Sequence, residues 1–169
     1  LAGDALVLPG VGAFGPAAAR LAPARAELAA ALAAGFPCLG ICLGMQLLFE
    51  GSAEGPGRGL GLIDGRVGAL SATRVPHMGW NEVRAAIGGG GAPEDPLLAD
   101  LGEPVVYFAH GYVARPADAA GVRGWTTHES EEIPALVRRA RTWGAQFHPE
   151  KSGAVGQRIL RNFLAAVAS

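Results

Sequence analysis

Two side chains in this sequence stand out as able to do covalent chemistry, Cys42 and His148, and each sits where the local chain would expose it for that work. A short apolar run from Phe36 to Ile41 leads straight into Cys42, which is flanked by Gly40 and Gly44, and a helix-like run from Met45 to Glu50 follows. Strand, one strained residue, then helix is the layout of a nucleophile elbow, here with sulfur in place of a serine oxygen. The glycines permit the tight turn and the close packing of strand on helix. Sulfur placed at a helix N-terminus meets backbone N–H groups and the positive end of the helix dipole, which predicts a thiolate.

The second segment is Ala145-Gln146-Phe147-His148-Pro149-Glu150, read as a strand that ends on a histidine. Proline holds the residue before it extended, so His148 is expected to point off the strand end. Glu150 lies close enough to accept a hydrogen bond from the ring nitrogen that faces away from the sulfur, fixing tautomer and orientation. Either segment alone has a bland explanation, a small buried cysteine or a structural turn. Together they supply a nucleophile, a base and an orienting acid.

The elements that must position these groups follow from the hydrophobic pattern. Ala5 to Leu8 is a short apolar strand running into Pro9-Gly10. Pro16 to Ala33 is an alanine- and leucine-rich helix with Pro16 in its first turn and Gly35 as its stop; Pro23 inside it predicts a kink or restart. Strand–helix–strand–helix order argues an α/β fold around a parallel sheet, whose ligands sit at the C-terminal ends of the strands. Further along, segments 63–70, 82–87, 105–109, 112–114, 122–127 and 136–139 read as short strands, with helical turns near 96–101. Ala145 to Phe147 is the last strand. Ala154 to Val167 closes the chain as an amphipathic helix with Ile159, Phe163, Leu164 and Val167 on one side. The runs 88–91 and 55–57 are loop signals.

Composition narrows the function classes. The 169 residues suit one domain, half are hydrophobic, and the net charge is −1. There is no basic stripe to suggest nucleic acid and no apolar run long enough to span a membrane. No cofactor motif stands out. Two cysteines only four positions apart cannot staple a domain of this size and make poor metal ligands, so no metal is expected and a reduced, cytoplasmic setting is.

With GICLGMQ around Cys42, QFHPEKS around His148 and Glu150, and LPGVGAFG from Leu8, the chain resembles the class I (triad) glutamine amidotransferases. Within them it is most similar to the glutaminase subunits of imidazole glycerol phosphate synthases, on the strength of LPGVGAFG, VPHMGWN (75–81) and VYFAHGY (106–112). The resemblance implies a flavodoxin-like open mixed sheet flanked by helices. It also implies a Cys42–His148–Glu150 triad and a glutamine site lined by Gly10, Val11, Gly12, Leu43, Gln46, His110, Gly111 and Tyr112. The Val11 and Leu43 amides would serve the oxyanion. Relatives usually carry a hydroxyl residue where this chain has Gly111. The implied partner is a (β/α)₈ cyclase subunit that receives ammonia across Pro76, Met78, Trp80 and Asn81, forming a heterodimer. Trp80 packed into the core is the competing reading; His77 and His110 are read as structural and His128 as a surface residue.

Relatives begin with a further strand–helix–strand unit of roughly 30 residues or more, so the expectation is one amidotransferase domain over residues 1–169 that is short at its N-terminus. Two other readings stay open: an amidotransferase subunit of another biosynthetic synthase, and a truncated, catalytically incompetent interaction subunit.

Overall fold

The computed structural model describes residues 3–86 and 95–169. Its centre is a six-stranded sheet built from β1 (Leu6–Leu8), β2 (Cys38–Ile41), β5 (Arg84–Ala85), β8 (Val122–His128), β9 (Glu131–Arg139) and β10 (Thr142–Ala145), in the order β1-β2-β10-β9-β8-β5. β2 pairs in parallel with both β1 and β10, while β10–β9, β9–β8 and β8–β5 are antiparallel. Two smaller ribbons stand beside it. One pairs β3 (Gly65–Ala69) with β7 (Tyr112–Pro116); the other pairs β4 (His77–Glu82) with β6 (Val105–His110).

Helices cover the sheet. The first helical segment behaves as Pro23 demands: α1 (Phe14–Leu21) gives way to a 3₁₀ turn at Ala22–Ala24 and restarts as α2 (Arg25–Ala33). α3 (Leu43–Gln46) is a single turn and α4 (Gly153–Ala168) closes the chain. All four residues of β2 are buried, as expected for a parallel strand covered on both faces. Leu39 and Ile41 share a core with Ile159 and Phe163 of α4, and Cys38 shares the opposite core with Leu28 and Leu32 of α2. Among the described residues no helix is long and apolar enough to cross a membrane.

Several boundaries differ from the sequence reading. The elbow helix begins at Leu43 rather than Met45 and ends at Gln46. The last strand spans Thr142–Ala145, ending before the expected Phe147, because β2 and β9 partner it only that far. β9 starts at Glu131 rather than 136, since the turn at Glu129 lets it pair along β8. Segment 75–81 is mostly strand β4, and the strand expected over 82–87 is the short β5. Leu164, placed on the apolar side of the last helix, is 62% exposed, because it lies one residue round from Phe163 and off the buried stripe. The expected 88–91 loop lies outside the described residues.

Candidate active site

Cys42 follows the last residue of β2 and takes φ 51°, ψ −106°, a backbone conformation that costs a non-glycine residue strain. Neighbouring backbone holds it there: Cys42 N–H donates to Ala145 O at 2.7 Å, and Cys42 O accepts from Gln46 N–H at 3.1 Å. Two glycines make the seat possible. A Cβ on Gly44 would lie 1.8 Å from the carbonyl oxygen of Leu8, and one on Gly10 would lie 2.6 Å from Leu43 Cβ. The elbow therefore rests directly on the strand end and loop that carry Gly10, Val11 and Gly12.

His148 lies three residues beyond β10 and is 2% exposed. Its N–H donates to Tyr107 O at 2.8 Å, and its carbonyl accepts from Ser152 Oγ at 2.6 Å, so its backbone is pinned on both sides. The ring nitrogen Nδ1 sits 2.7 Å from Glu150 Oε1. A carboxylate only accepts, so Nδ1 carries the proton and Nε2 is left as the basic nitrogen. Glu150 is half exposed and stands behind the ring.

Cys42 and His148, over a hundred positions apart in sequence, line one cavity of about 180 Å³. The predicted Gly10, Val11, Gly12, Leu43, Gln46, His110, Gly111 and Tyr112 all line it with them. At Gly111 a Cβ would meet only Val75 Cγ1, at 3.4 Å, so a side chain there fits. Besides Ala109, whose carbonyl faces the Cys42 sulfur, the sequence reading missed Glu54, Lys151 and Gln146 at this site. Glu54 and Lys151 line the cavity, and Glu54 Oε2 accepts from Phe14 N–H at 2.8 Å. Gln146 lies behind the sulfur and donates to it through Nε2 at 3.6 Å. Glu54 follows a loop with no motif around it; Gln146 is an ordinary amide in a strand extension.

The sulfur is not the thiolate that the elbow alone predicts. Burial pushes the Cys42 thiol up to about 11, outweighing the Leu43 amide, Lys151 and Gln146, which pull it down, while Glu150 adds to the rise. A one-turn helix offers little dipole. Among the described hydrogen bonds, Sγ donates to Ala109 O at 3.9 Å and accepts from Gln146; none joins it to the imidazole. The arrangement is a neutral thiol with an imidazole lining the same cavity.

Behind the cavity wall, His110 Nδ1 lies 3.1 Å from Tyr112 O, and His110 Nε2 lies 3.1 Å from His77 Nδ1. Burial lowers His77 to about 4 and His110 to about 3, so both are neutral near pH 7. His128 stacks on His77 with ring centroids 4.3 Å apart and is half-buried rather than a free surface residue. On the outer side of β4, Met78 and Trp80 are 65% and 59% exposed, which overturns the core reading of Trp80. Pro76 is exposed beside them and Asn81 is half-buried, donating to Thr127 O at 2.7 Å.

A profile of the class-I glutamine amidotransferases matches residues 2–167. The chain belongs to that family. The imidazole glycerol phosphate synthase subunit HisH of Synechococcus elongatus is 42% identical over 100% of this chain and 78% of its own length. The HisH subunit of Synechocystis is 44% identical over 97% and 79%. The Halobacterium salinarum HisH subunit is 44% identical over 95% and 75%. Among solved structures, one described as a glutamine amidotransferase superposes with a TM-score of 0.70 at 22% identity, covering 98% of this chain and 80% of its own. PurLQS from Thermotoga maritima gives 0.71 at 21%, covering 95% and 78%. At those identities the likeness concerns the fold, and it agrees with the expected mixed sheet flanked by helices.

Proposed function

We propose that this chain is the glutaminase subunit of an imidazole glycerol phosphate synthase, hydrolysing glutamine to glutamate and ammonia for a cyclase subunit in histidine biosynthesis. The observation that carries this reading is the 42–44% identity to HisH subunits along essentially the whole chain. The cavity supports it chemically. Glutamine enters with its side-chain amide toward Cys42; Glu54 matches the charge of its α-ammonium group. Cys42 Sγ attacks the amide carbon as its proton passes to His148 Nε2. The oxygen becomes an oxyanion facing the Leu43 and Val11 amides. The C–N bond breaks as His148 returns the proton to the leaving nitrogen, giving ammonia and a thioester. Water, deprotonated by the same ring, hydrolyses the thioester and restores the thiol. Glu150 holds the ring in the working tautomer throughout.

Ammonia released to bulk water is protonated and lost as a nucleophile, so the product has to pass to an acceptor subunit. Met78 and Trp80, exposed on one strand with Pro76 and Asn81 beside them, have the residue types that interface cores favour. They suit docking of a (β/α)₈ cyclase. Two unpaired thiols accord with a reducing, cytoplasmic setting. Residues 1–169 are then one amidotransferase domain.

The test is Cys42→Ala in the complex with the cyclase subunit. Glutamine-dependent formation of imidazole glycerol phosphate should vanish while ammonium-dependent formation continues. Equal loss of both would remove Cys42 from the nucleophile role.

A further inference from the structure

One buried amide at this site has no part in the steps above. Gln146 directly follows β10, is fully buried, and has its backbone N–H bonded to Ala135 O at 2.9 Å. A polar side chain in such a place is costly unless its amide is satisfied at both ends. Here both ends are satisfied by groups of the site itself.

The orientation of the amides is forced. Tyr112 O, a backbone carbonyl, can only accept, so the Gln46 atom 3.1 Å from it is the nitrogen. The same nitrogen lies 3.3 Å from the Gln146 side chain, which must present its oxygen there. That turns the Gln146 nitrogen toward Cys42 Sγ, at 3.6 Å. The carbonyl that begins the chain is itself held by His110 Nδ1–H at 3.1 Å.

We propose that Gln146 is a positioning residue for the glutaminase reaction, holding Cys42 Sγ by one hydrogen bond and fixing the orientation of Gln46 by another. The proposal rests on the glutaminase reading and deepens it. Two consequences follow for the chemistry. Both amide hydrogens of Gln46 are engaged in the wall, so Gln46 offers a ligand its oxygen, an acceptor suited to an N–H donor. The N–H that faces sulfur strengthens as the thiol loses its proton, because hydrogen bonds to ionised acceptors are the stronger ones. The contact therefore favours the state in which Cys42 attacks over the resting thiol. It also works against the burial that holds the thiol neutral.

The test uses Gln146→Met, which keeps chain length and apolar volume and removes both hydrogen bonds. In the free protein, iodoacetamide labelling of Cys42 at pH 8, located by peptide mass mapping so that Cys38 is not counted, should slow about tenfold, the loss of a weak bond to a charged group. In the complex with the cyclase subunit, kcat for glutamine should fall about tenfold and KM rise, and adding Gln46→Met should cost less than the two single effects combined. A merely structural residue would lower the melting temperature and leave the labelling rate alone. Equal labelling of folded wild-type and Gln146→Met chains overturns the proposal. Labelling needs no glutamine turnover, so a failure of the glutaminase reading shows separately, as a wild-type complex without glutamine-dependent activity. If the variant does not fold, the Gln146 side-chain amide protons in the wild-type chain give the answer by NMR. They should shift when Cys42→Ala removes the acceptor; unchanged resonances overturn the role.

Discussion

Replacing Glu150 tests the division of labour at the site. The Nδ1–Oε1 distance of 2.7 Å is that of a charge-assisted hydrogen bond. Such bonds are worth about 1.5–3 kcal/mol, and Glu150 is 47% exposed, so solvent screens it and the lower figure applies. Glu150→Gln keeps an acceptor and loses the charge; about 1.5 kcal/mol corresponds to roughly a tenfold fall in kcat. Glu150→Leu also frees the tautomer. Its effect should reach about 10²–10³-fold, below the ~10⁴ seen when a fully buried triad acid is neutralised. KM for glutamine should barely move in either variant, because Glu150 stands behind the ring and does not line the cavity. The assay is glutamate release by the complex at saturating glutamine, with ammonium-dependent synthesis as the control. A Gln variant with unchanged kcat, or one whose defect lies in KM alone, would refute the argument that Glu150 acts through His148.

Alkylation of Cys42 in the free protein should rise about tenfold per pH unit from 7 to 10 with no plateau, since burial holds the thiol near 11; a midpoint near 7 in a pH–rate titration would show a preformed ion pair instead. Gly44→Ala should leave little folded protein in a thermal melt, because its Cβ would sit 1.8 Å from the Leu8 carbonyl; a native melting temperature would mean the elbow has slack that the packing does not show. Trp80→Ala should weaken cyclase binding by more than about 1 kcal/mol in a titration if it anchors the interface, while the isolated chain, in which Trp80 is largely exposed, should keep its melting temperature within about 2–4 °C.

How much of this was legible in the sequence depended on whether the signal was local. Cys42 and His148 could be read because glycine and proline beside them dictate backbone conformation within a residue or two, and the restart at Pro23 appeared for the same reason. Gln146 could not. Its partners lie 104 and 100 positions away, and nothing in Ala-Gln-Phe distinguishes a side chain bonded to Cys42 from any other strand residue. Glu54 was missed likewise: its place on the wall comes from a loop folding back on α1. The ionisation of Cys42 was misjudged for a different reason. The helix-end argument counts donors near sulfur, which sequence reveals, but not the water removed from it, which only packing reveals.

His148 and the exposed Trp80 are tied to one piece of backbone. Tyr107 on β6 pairs in register with Trp80 on β4, and the two rings meet edge to face at 5.9 Å. The Tyr107 carbonyl accepts from His148 N–H, and its N–H donates to Ser152 Oγ, which in turn donates to the His148 carbonyl. Both backbone anchors of His148 therefore hang on a residue whose side chain packs against Trp80. With Cys42 protonated at rest, the proposed attack would depend on where the His148 ring is held. In this fold the strand pair that would carry the docking surface is also the pair that sets the position of the imidazole.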